Sequence, residues 1–521
     1  MVWLRSVVGR VRVRGGGPLV RRGVPADLGG LAELVDGVDP VVGAAVRQRA
    51  GEVTAALAAG SVSGGTRAVL DGLVGALAPL DGARAWLLLA TMTGRLPDGS
   101  QVDSLIRTAE LDGVPAALAR VIVDLPLAAP GEVAWPEVRV LLDTTLVDVQ
   151  HTATREVATG IQRVTREVTR RWVRDHQPTL IGWHADLTAM RVLSAAEAQR
   201  ACWGGSAGTL PADDTIVVPW RCTYLLPELA IEIDQVTRLQ AMAQYAGTTL
   251  NLIGYDLVPV TTAETINEII APGFARNLSA VRYARNVAAI SEAAAEEYRG
   301  WSAMLAGTGL PGPRIAAVPL PAEAPAADPD AVAAGNRRLR VGRLPLILVV
   351  GSHEPRKNHL SVLHAAELLW REGHQFGLTF IGGNAWSSEP FVHRFGQLVG
   401  AGRPMEAFTA ATDELLWRAY RAARFTVFPS FNEGFGLPVA ESLACGTPVI
   451  TSNFGSMKEI ADAGGGALLI DPRDDHDLVD AMRTLLTDDH LHAELSNQAR
   501  SRPPRTWDDY ADEVWAALAS A

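Results

Sequence analysis

The 521 residues carry a net charge of −11 and 48% hydrophobic side chains, enough apolar material for two or three cores and the wrong sign for a general nucleic-acid binder. Three cysteines, Cys202, Cys222 and Cys445, are too few and too unevenly spaced for a disulfide framework or a zinc site, which fits a reducing cytoplasm. No apolar run reaches the roughly 18 to 20 residues that span a bilayer.

The first segment bears Arg5, Arg10, Arg12, Arg14, Arg21 and Arg22, with no acid before Asp27. Such a basic arm can meet anionic lipid, each cation contributing about 1 kcal/mol near the surface. A disordered tail, or a start codon set too early, is the simpler reading. Residues 1–135 form an N-terminal accessory region with helical patterns near Val41–Ala59, Thr66–Ala78 and Val114–Val123, and no motif that carries chemistry.

Near Trp135 and Pro136 the composition changes, and EVRVLLDTTLV reads as an apolar strand opening a Rossmann-like half over residues 136–325. TGIQRVTREVTRRW follows as a helix, with Gly160 at its start permitting close approach. Arg163 stands one turn in, on a face rich in other arginines. Strands are expected at Thr215–Pro219 and Thr249–Tyr255. The second runs into Asp256, which can cap the next turn. Asp213 and Asp214 sit in a polar PADDT turn that makes a poor metal site. RYARNVAAISEAAAEEY reads as a strand and then a helix. The proline- and alanine-rich stretch from Pro311 to Arg343, with the linker proper at 326–343, separates the halves.

A second Rossmann-like half is expected over 344–505. Leu344–Val350 is a buried strand ending at Gly351. Leu360, Leu363, Leu368 and Leu369 then recur at helical spacing behind Asn358 as N-cap. Arg356 and Lys357 fall just before that helix, where two cations are unfavourable unless an anion sits between them and the helix terminus. Lysine occurs only at 357 and 458 in an arginine-rich chain. Its retention at 357 fits a site where an ammonium and a guanidinium have different jobs, whereas Lys458 reads as a surface residue. Strands at Leu378–Gly382, Phe425–Pro429 and Pro448–Thr451 alternate with helices, which predicts a parallel sheet with ligands outside its carboxyl ends. Gly351, Gly382, Gly383, Arg356, Lys357 and Glu433 lie at such ends. In FPSFNEGFGLPVAESLACGTPV, a loop with Glu433, Gly434 and Gly436 runs into a helix with Pro438 at its first position and Glu441 inside it. A phosphate suits that helix N-terminus, and Cys445 reads as a small core residue. TWDDYADEVWAALA closes the chain as an amphipathic helix over 506–521.

Glu433 and Glu441, with seven residues between them, together with EPRKN, TGIQRV and IGGNAW with its Trp386, resemble the retaining glycosyltransferases of the GT4 family, glycosyl transferases group 1. The likeness is strongest to bacterial O-polysaccharide mannosyltransferases. It covers roughly residues 137–521 and is strongest from Leu344 to Glu459. It implies an α/β protein of GT-B fold, two Rossmann-like domains facing a cleft, here with a mainly helical N-terminal extension and a C-terminal helix crossing back onto the first half. It further implies that Arg356 and Lys357 grip the donor diphosphate, that Glu433 touches the donor sugar, and that Glu441 holds the ribose hydroxyls. Gly351, Gly383, Gly434, Phe435, Gly436 and Leu437 complete the donor site, with Gly160 and Arg163 on the acceptor side. No metal and no cofactor are implied beyond a nucleoside diphosphate sugar as co-substrate. The implied partners are that donor and a glycan or lipid-linked sugar acceptor, without nucleic acid. The implied location is cytoplasmic, with peripheral contact at the inner face of the plasma membrane through the basic N-terminus.

Tyr255 departs from the family, some members of which carry histidine there, so the acceptor's proton has Asp256 or no assigned receiver. Mannose from GDP-mannose is the donor the motifs suggest, with dTDP-rhamnose and UDP-glucose left open. A noncatalytic partner of the same fold is the rival reading. A Rossmann oxidoreductase lacks its G-x-G-x-x-G fingerprint here.

Overall fold

The computed structural model describes residues 28–38, 40–58, 64–125, 135–155, 159–205, 215–267, 269–326 and 344–519. The basic N-terminal arm, the Asp213–Asp214 turn and all but the first residue of the expected linker lie outside the described residues. The chain divides into two compact units, Met1–Arg95 with Ser100–Arg139, and Leu96–Gly99 with Val140–Ala521.

The first unit is helical, with described helices at Leu28–Val38, Pro40–Ala56, Thr66–Leu77, Gly82–Thr93, Gly99–Asp112 and Val114–Val123. Three match the expected segments, and the other three were not anticipated. GARAWLLLATMT carries a continuous buried run, Ala85–Leu88, in place of a spaced apolar stripe, although Asp81 caps it. The unit has its own core, in which Leu31, Val46, Leu70, Leu73, Trp86 and Leu118 are fully buried. Arg49 is buried among them and donates to the carbonyls of Met92 and Pro136 at 2.8 and 3.0 Å. Burial lowers its pKa to about 10.

The second unit holds two sheets. One comprises β1 (Val138–Leu142), β2 (Thr145–Asp148), β3 (Thr179–Trp183), β4 (Met190–Val192), β5 (Ile216–Trp220), β6 (Thr223–Leu226), β7 (Thr249–Gly254), β8 (Asn286–Ala289) and β9 (Arg314–Ala317). Their order is β1-β5-β4-β3-β2-β6-β7-β8-β9. Strands β3, β2, β6, β7, β8 and β9 run parallel, while β4 pairs antiparallel with both of its neighbours. EVRVLLDTTLV is thus two strands, not one: Asp143 turns the chain with φ +47°.

The other sheet is wholly parallel: β10 (Leu346–Val350), β11 (Gly377–Ile381), β12 (Met405–Phe408), β13 (Phe425–Phe428), β14 (Val449–Ser452) and β15 (Ala467–Ile470). The order β12-β11-β10-β13-β14-β15 reverses direction between β10 and β13. In a doubly wound sheet the ligand crevice opens at that switch point, beyond the carboxyl ends. The β10 run LILVV is apolar at successive positions because helices cover both faces. Leu363 and Leu369 of the following helix, His359–Arg371, are fully buried, whereas Leu360 is 46% exposed and stands off the expected apolar face.

The C-terminal helix, Trp507–Ala519, returns to the first sheet's side of this unit. Trp172 Nε1 donates to Ala511 O at 3.0 Å, and Arg171 pairs with Asp508 at 2.8 Å.

Candidate functional site

Both loops at the switch point carry charge. After β10 the chain makes a short 3-10 turn, Pro355–Lys357, and enters the next helix through Asn358 in the left-handed region, φ +54°. Asn358 occupies the N-cap position, but its side chain does not cap. Its Nδ2 donates instead to Pro472 O at 2.9 Å, tying the turn to the loop after β15. After β13 comes the loop with Glu433, whose backbone locks onto the first: Phe431 N donates to Arg356 O at 2.9 Å.

The anion that the two cations require is found within the protein. Arg356 Nη1 and Lys357 Nζ each lie 2.5 Å from one of the two Glu433 carboxylate oxygens. Ser430 Oγ donates to Glu433 Oε1 at 2.5 Å, while Arg356 also reaches Glu354 at 2.7 Å and Asn432 O at 2.8 Å. Burial pushes the Glu433 carboxyl up, but the two cations outweigh it and hold the group at about 2. Burial depresses Lys357, opposed by Glu433. The Lys357 ammonium also stands 5.0 Å over the Phe428 ring. This is a nearly dry cluster of two cations and two carboxylates beyond the carboxyl ends of β10 and β13.

Glycines shape the crevice in ways that differ from the expectation. A Cβ at Gly382 would lie 1.9 Å from Gly351 O, so the strand ends of β10 and β11 meet only because that side chain is absent. Gly383 accepts from His353 N at 2.9 Å. Gly434 is read from sequence as a ligand approach point, yet a Cβ there would lie 2.7 Å from Tyr255 O and 2.8 Å from Asp256 Oδ2. Its first role is to let the loop touch the first half, where Ser291 Oγ donates to Gly434 O at 2.6 Å. Gly436 takes φ +99° immediately before the Leu437–Ala444 helix. That helix begins at Leu437, so Pro438 is its second residue rather than its first; Phe435 is buried beside it.

On the first half, Asp256 follows β7. Val258 N donates to its Oδ1 at 3.2 Å, which is the turn-capping contact. Burial, opposed by Arg356, raises its carboxyl to about 6. The Tyr255 hydroxyl donates to Pro227 O at 2.7 Å inside the core and faces no crevice.

Gly160 opens the Gly160–Asp175 helix, whose N-terminus carries a capping box between Thr159 and Gln162. A Cβ on Gly160 would meet Leu437 Cδ1 at 3.9 Å, so the two helix starts lie close together. Arg163 was expected to face an acceptor. It instead pairs through Nη1 with Glu441 Oε1, the residue expected to hold ribose. The other Glu441 oxygen accepts from Tyr420 at 2.9 Å.

Several contributors escaped sequence reading. Tyr420 acts across 21 positions, which no local pattern encodes, whereas Ser430 and Glu354 lie three and two residues from their partners inside the quoted motifs and were not singled out. Glu459 accepts from the backbone N–H groups of Glu292 and Ala293, both at 3.0 Å, and so joins the second half to the start of the Glu292–Gly307 helix. Lys458 is exposed and pairs with Asp462, as a surface lysine does. Cys445 is only partly buried, and burial raises its thiol to about 11. Among the described residues no cluster of three or more His, Cys, Asp or Glu side chains could hold a metal ion. None of the described helices is long and apolar enough to cross a membrane.

Residues 336–502 match the family model described as glycosyl transferases group 1. The chain is 27% identical over 333 residues to the serotype-specific mannosyltransferase WbdA of Escherichia coli, an alignment covering 61% of this chain and 38% of that protein. It therefore spans about two fifths of that relative's length. It is 38% identical over 131 residues to the O-antigen chain mannosyltransferase B of Escherichia coli, covering 24% of this chain and 33% of the relative. Among solved structures, Anabaena Alr3699/HepE in complex with UDP and glucose superposes with a TM-score of 0.53 at 13% identity, over 73% of this chain and 100% of that one. Two sheets, the second parallel throughout, and a helical N-terminal region are the GT-B architecture with an extension.

Proposed function

We propose, from the premise that this chain belongs through residues 336–502 to the group 1 glycosyl transferases, that it is a retaining transferase moving a hexose from a nucleoside diphosphate sugar to an acceptor hydroxyl. The observation that carries this reading is the Arg356–Lys357–Glu433 cluster at the switch point of the parallel sheet. The departing diphosphate gains negative charge, and preorganised cations in a nearly dry site stabilise that charge without reorganisation. Arg356 and Lys357 supply it, with the N–H groups of the Phe435–Leu437 segment at the start of the following helix. Gly351 and Gly383 let the β10 and β11 loops approach the donor. Glu433 holds the two cations in place and takes hydroxyls of the donor sugar. No cation beyond these is required, so the transfer is metal-independent.

Glu441 takes the donor ribose. Asp256, with its raised pKa and its place across the Gly434 contact, is the candidate to receive the acceptor's proton. The donor is mannose from GDP-mannose, supported by EPRKN, TGIQRV and the named mannosyltransferases. The acceptor is a glycan or lipid-linked sugar in cell-surface polysaccharide synthesis, met in the cytoplasm or at the inner membrane face. In this reading residues 136–325 form the acceptor-side domain and 344–505 the donor domain. Residues 326–343 link them, and 506–521 cross back.

The test is hydrolysis of a donor panel, GDP-mannose, dTDP-rhamnose and UDP-glucose, with and without EDTA. Turnover of GDP-mannose that survives chelation is expected. Turnover of none of the three would remove the transferase reading, and loss with EDTA restored by magnesium would remove the metal-free mechanism.

A further inference from the structure

Two residues with separate expected partners are found holding each other. Glu441 stands on the helix after the Glu433 loop, with its side chain only 5% exposed, and one of its carboxylate oxygens is paired with Arg163, whose side chain is 37% exposed. Tyr420 is buried and fixes the other carboxylate oxygen from behind at 2.9 Å. A ribose diol that takes Glu441 competes with these two partners, and the partly exposed Arg163 yields more readily than the buried Tyr420.

Within the protein the displaced guanidinium has Glu167 and Asp413 as its neighbouring anions. Its neighbour Glu167 already takes Arg170 and Arg171, both at 2.5 Å, and the Trp507 ring lies 5.9 Å from the Arg163 Cζ. Gly160, one turn earlier, keeps the helix start close to Leu437, so the released side chain stays at the crevice.

We propose that Arg163 and Glu441 form a donor-operated latch: the ribose of a nucleoside diphosphate takes Glu441 from Arg163 and frees the guanidinium for an anion on the acceptor. This inference rests on the assignment of Glu441 to the ribose. It makes Arg163 a positioning residue whose availability depends on the donor, so that donor binding precedes acceptor binding.

The experiment uses the full chain with UDP and GDP as probes. Calorimetric titration compares the wild type with Arg163→Ala and Arg163→Gln, the second keeping a long polar side chain in case alanine unsettles the fold. Because the latch no longer has to be broken, both variants should bind the nucleotide at least about threefold tighter, equivalent to about 0.65 kcal/mol. Adding Arg163→Ala to Glu441→Gln should give no further tightening, since the pair is already broken. On the wild type itself, phenylglyoxal labelling of Arg163, read by peptide mass spectrometry, should be faster with saturating nucleotide.

Equal or weaker binding by the variants, or labelling that is unchanged or slowed, overturns the latch while leaving the donor site standing. Wild-type protein that binds neither UDP nor GDP overturns the ribose assignment and the latch with it.

Discussion

Arg356 and Lys357 are held by one carboxylate, so neither can be replaced without leaving Glu433 short of a partner. Truncating one member of a buried charge-assisted pair typically costs about 2 to 5 kcal/mol. Arg356→Ala and Lys357→Ala are each expected to lower turnover at least about tenfold, a barrier change of about 1.4 kcal/mol. Steady-state kinetics on both variants, with circular dichroism to confirm the fold, checks this; wild-type turnover in both would remove the cluster from the donor site. These residues were legible because their signal is local: cations before a helix, glycines in a loop, and a lysine kept in an arginine-rich chain. The Glu441 partners were not legible. Arg163 is 278 positions away, and Tyr420 sits on a helix whose sequence pattern announces only packing.

Elements carry the next set of constraints. The Glu433 loop touches the end of β7 through Gly434, and Gly434→Ala would drive a methyl group to within 2.7 Å of Tyr255 O. Overpacking of this kind costs about 1 to 3 kcal/mol. The variant should show a lowered Tm and a larger loss of turnover than of stability, because the displaced backbone carries Glu433; thermal melts alongside kinetics decide this.

At the carboxyl end of β6, Glu228 accepts from His151 N at 2.8 Å and from Thr152 N at 2.7 Å, binding the short Gln150–Thr154 helix to the sheet. Burial raises its carboxyl to about 7 from the ordinary 4.5. The folded state thus holds a proton that the unfolded state has released. That stability is fully present below about pH 4.5 and is lost as the pH rises through 7. Melting curves at pH 5, 6, 7 and 8 should show the wild type losing Tm relative to Glu228→Gln across this window, and parallel curves would refute the assignment. The apolar strand runs were legible because burial on both faces writes continuous Val, Ile and Leu. Short strands such as β4 and β12, and the Gly82–Thr93 helix with its continuous apolar run, were missed because none of them leaves a clear period to detect.

At the scale of the whole molecule, strands β2 to β15, the charged cluster, Asp256, the Arg163–Glu441 pair and the returning C-terminal helix all belong to the second unit. The first unit buries its own core and contributes none of these groups. A division of this kind predicts that the helical region is an accessory module and that donor chemistry survives its removal. A chain truncated to begin at Pro136 keeps β1 onward. It forfeits the Leu96–Gly99 segment, whose Leu96 N donates to Thr188 O at 2.8 Å, a loss of about 1 kcal/mol. The truncated protein should therefore melt slightly earlier than the full chain and still bind the same nucleoside diphosphate, with an affinity within about threefold of it, a difference of only about 0.65 kcal/mol. Solubility or use of a polymeric acceptor is where the missing unit should be felt. Should the truncated protein prove soluble and folded by circular dichroism yet bind no nucleotide that the full chain binds, the helical unit would have to be counted as part of the donor site, and the division of labour argued from the two units would fail.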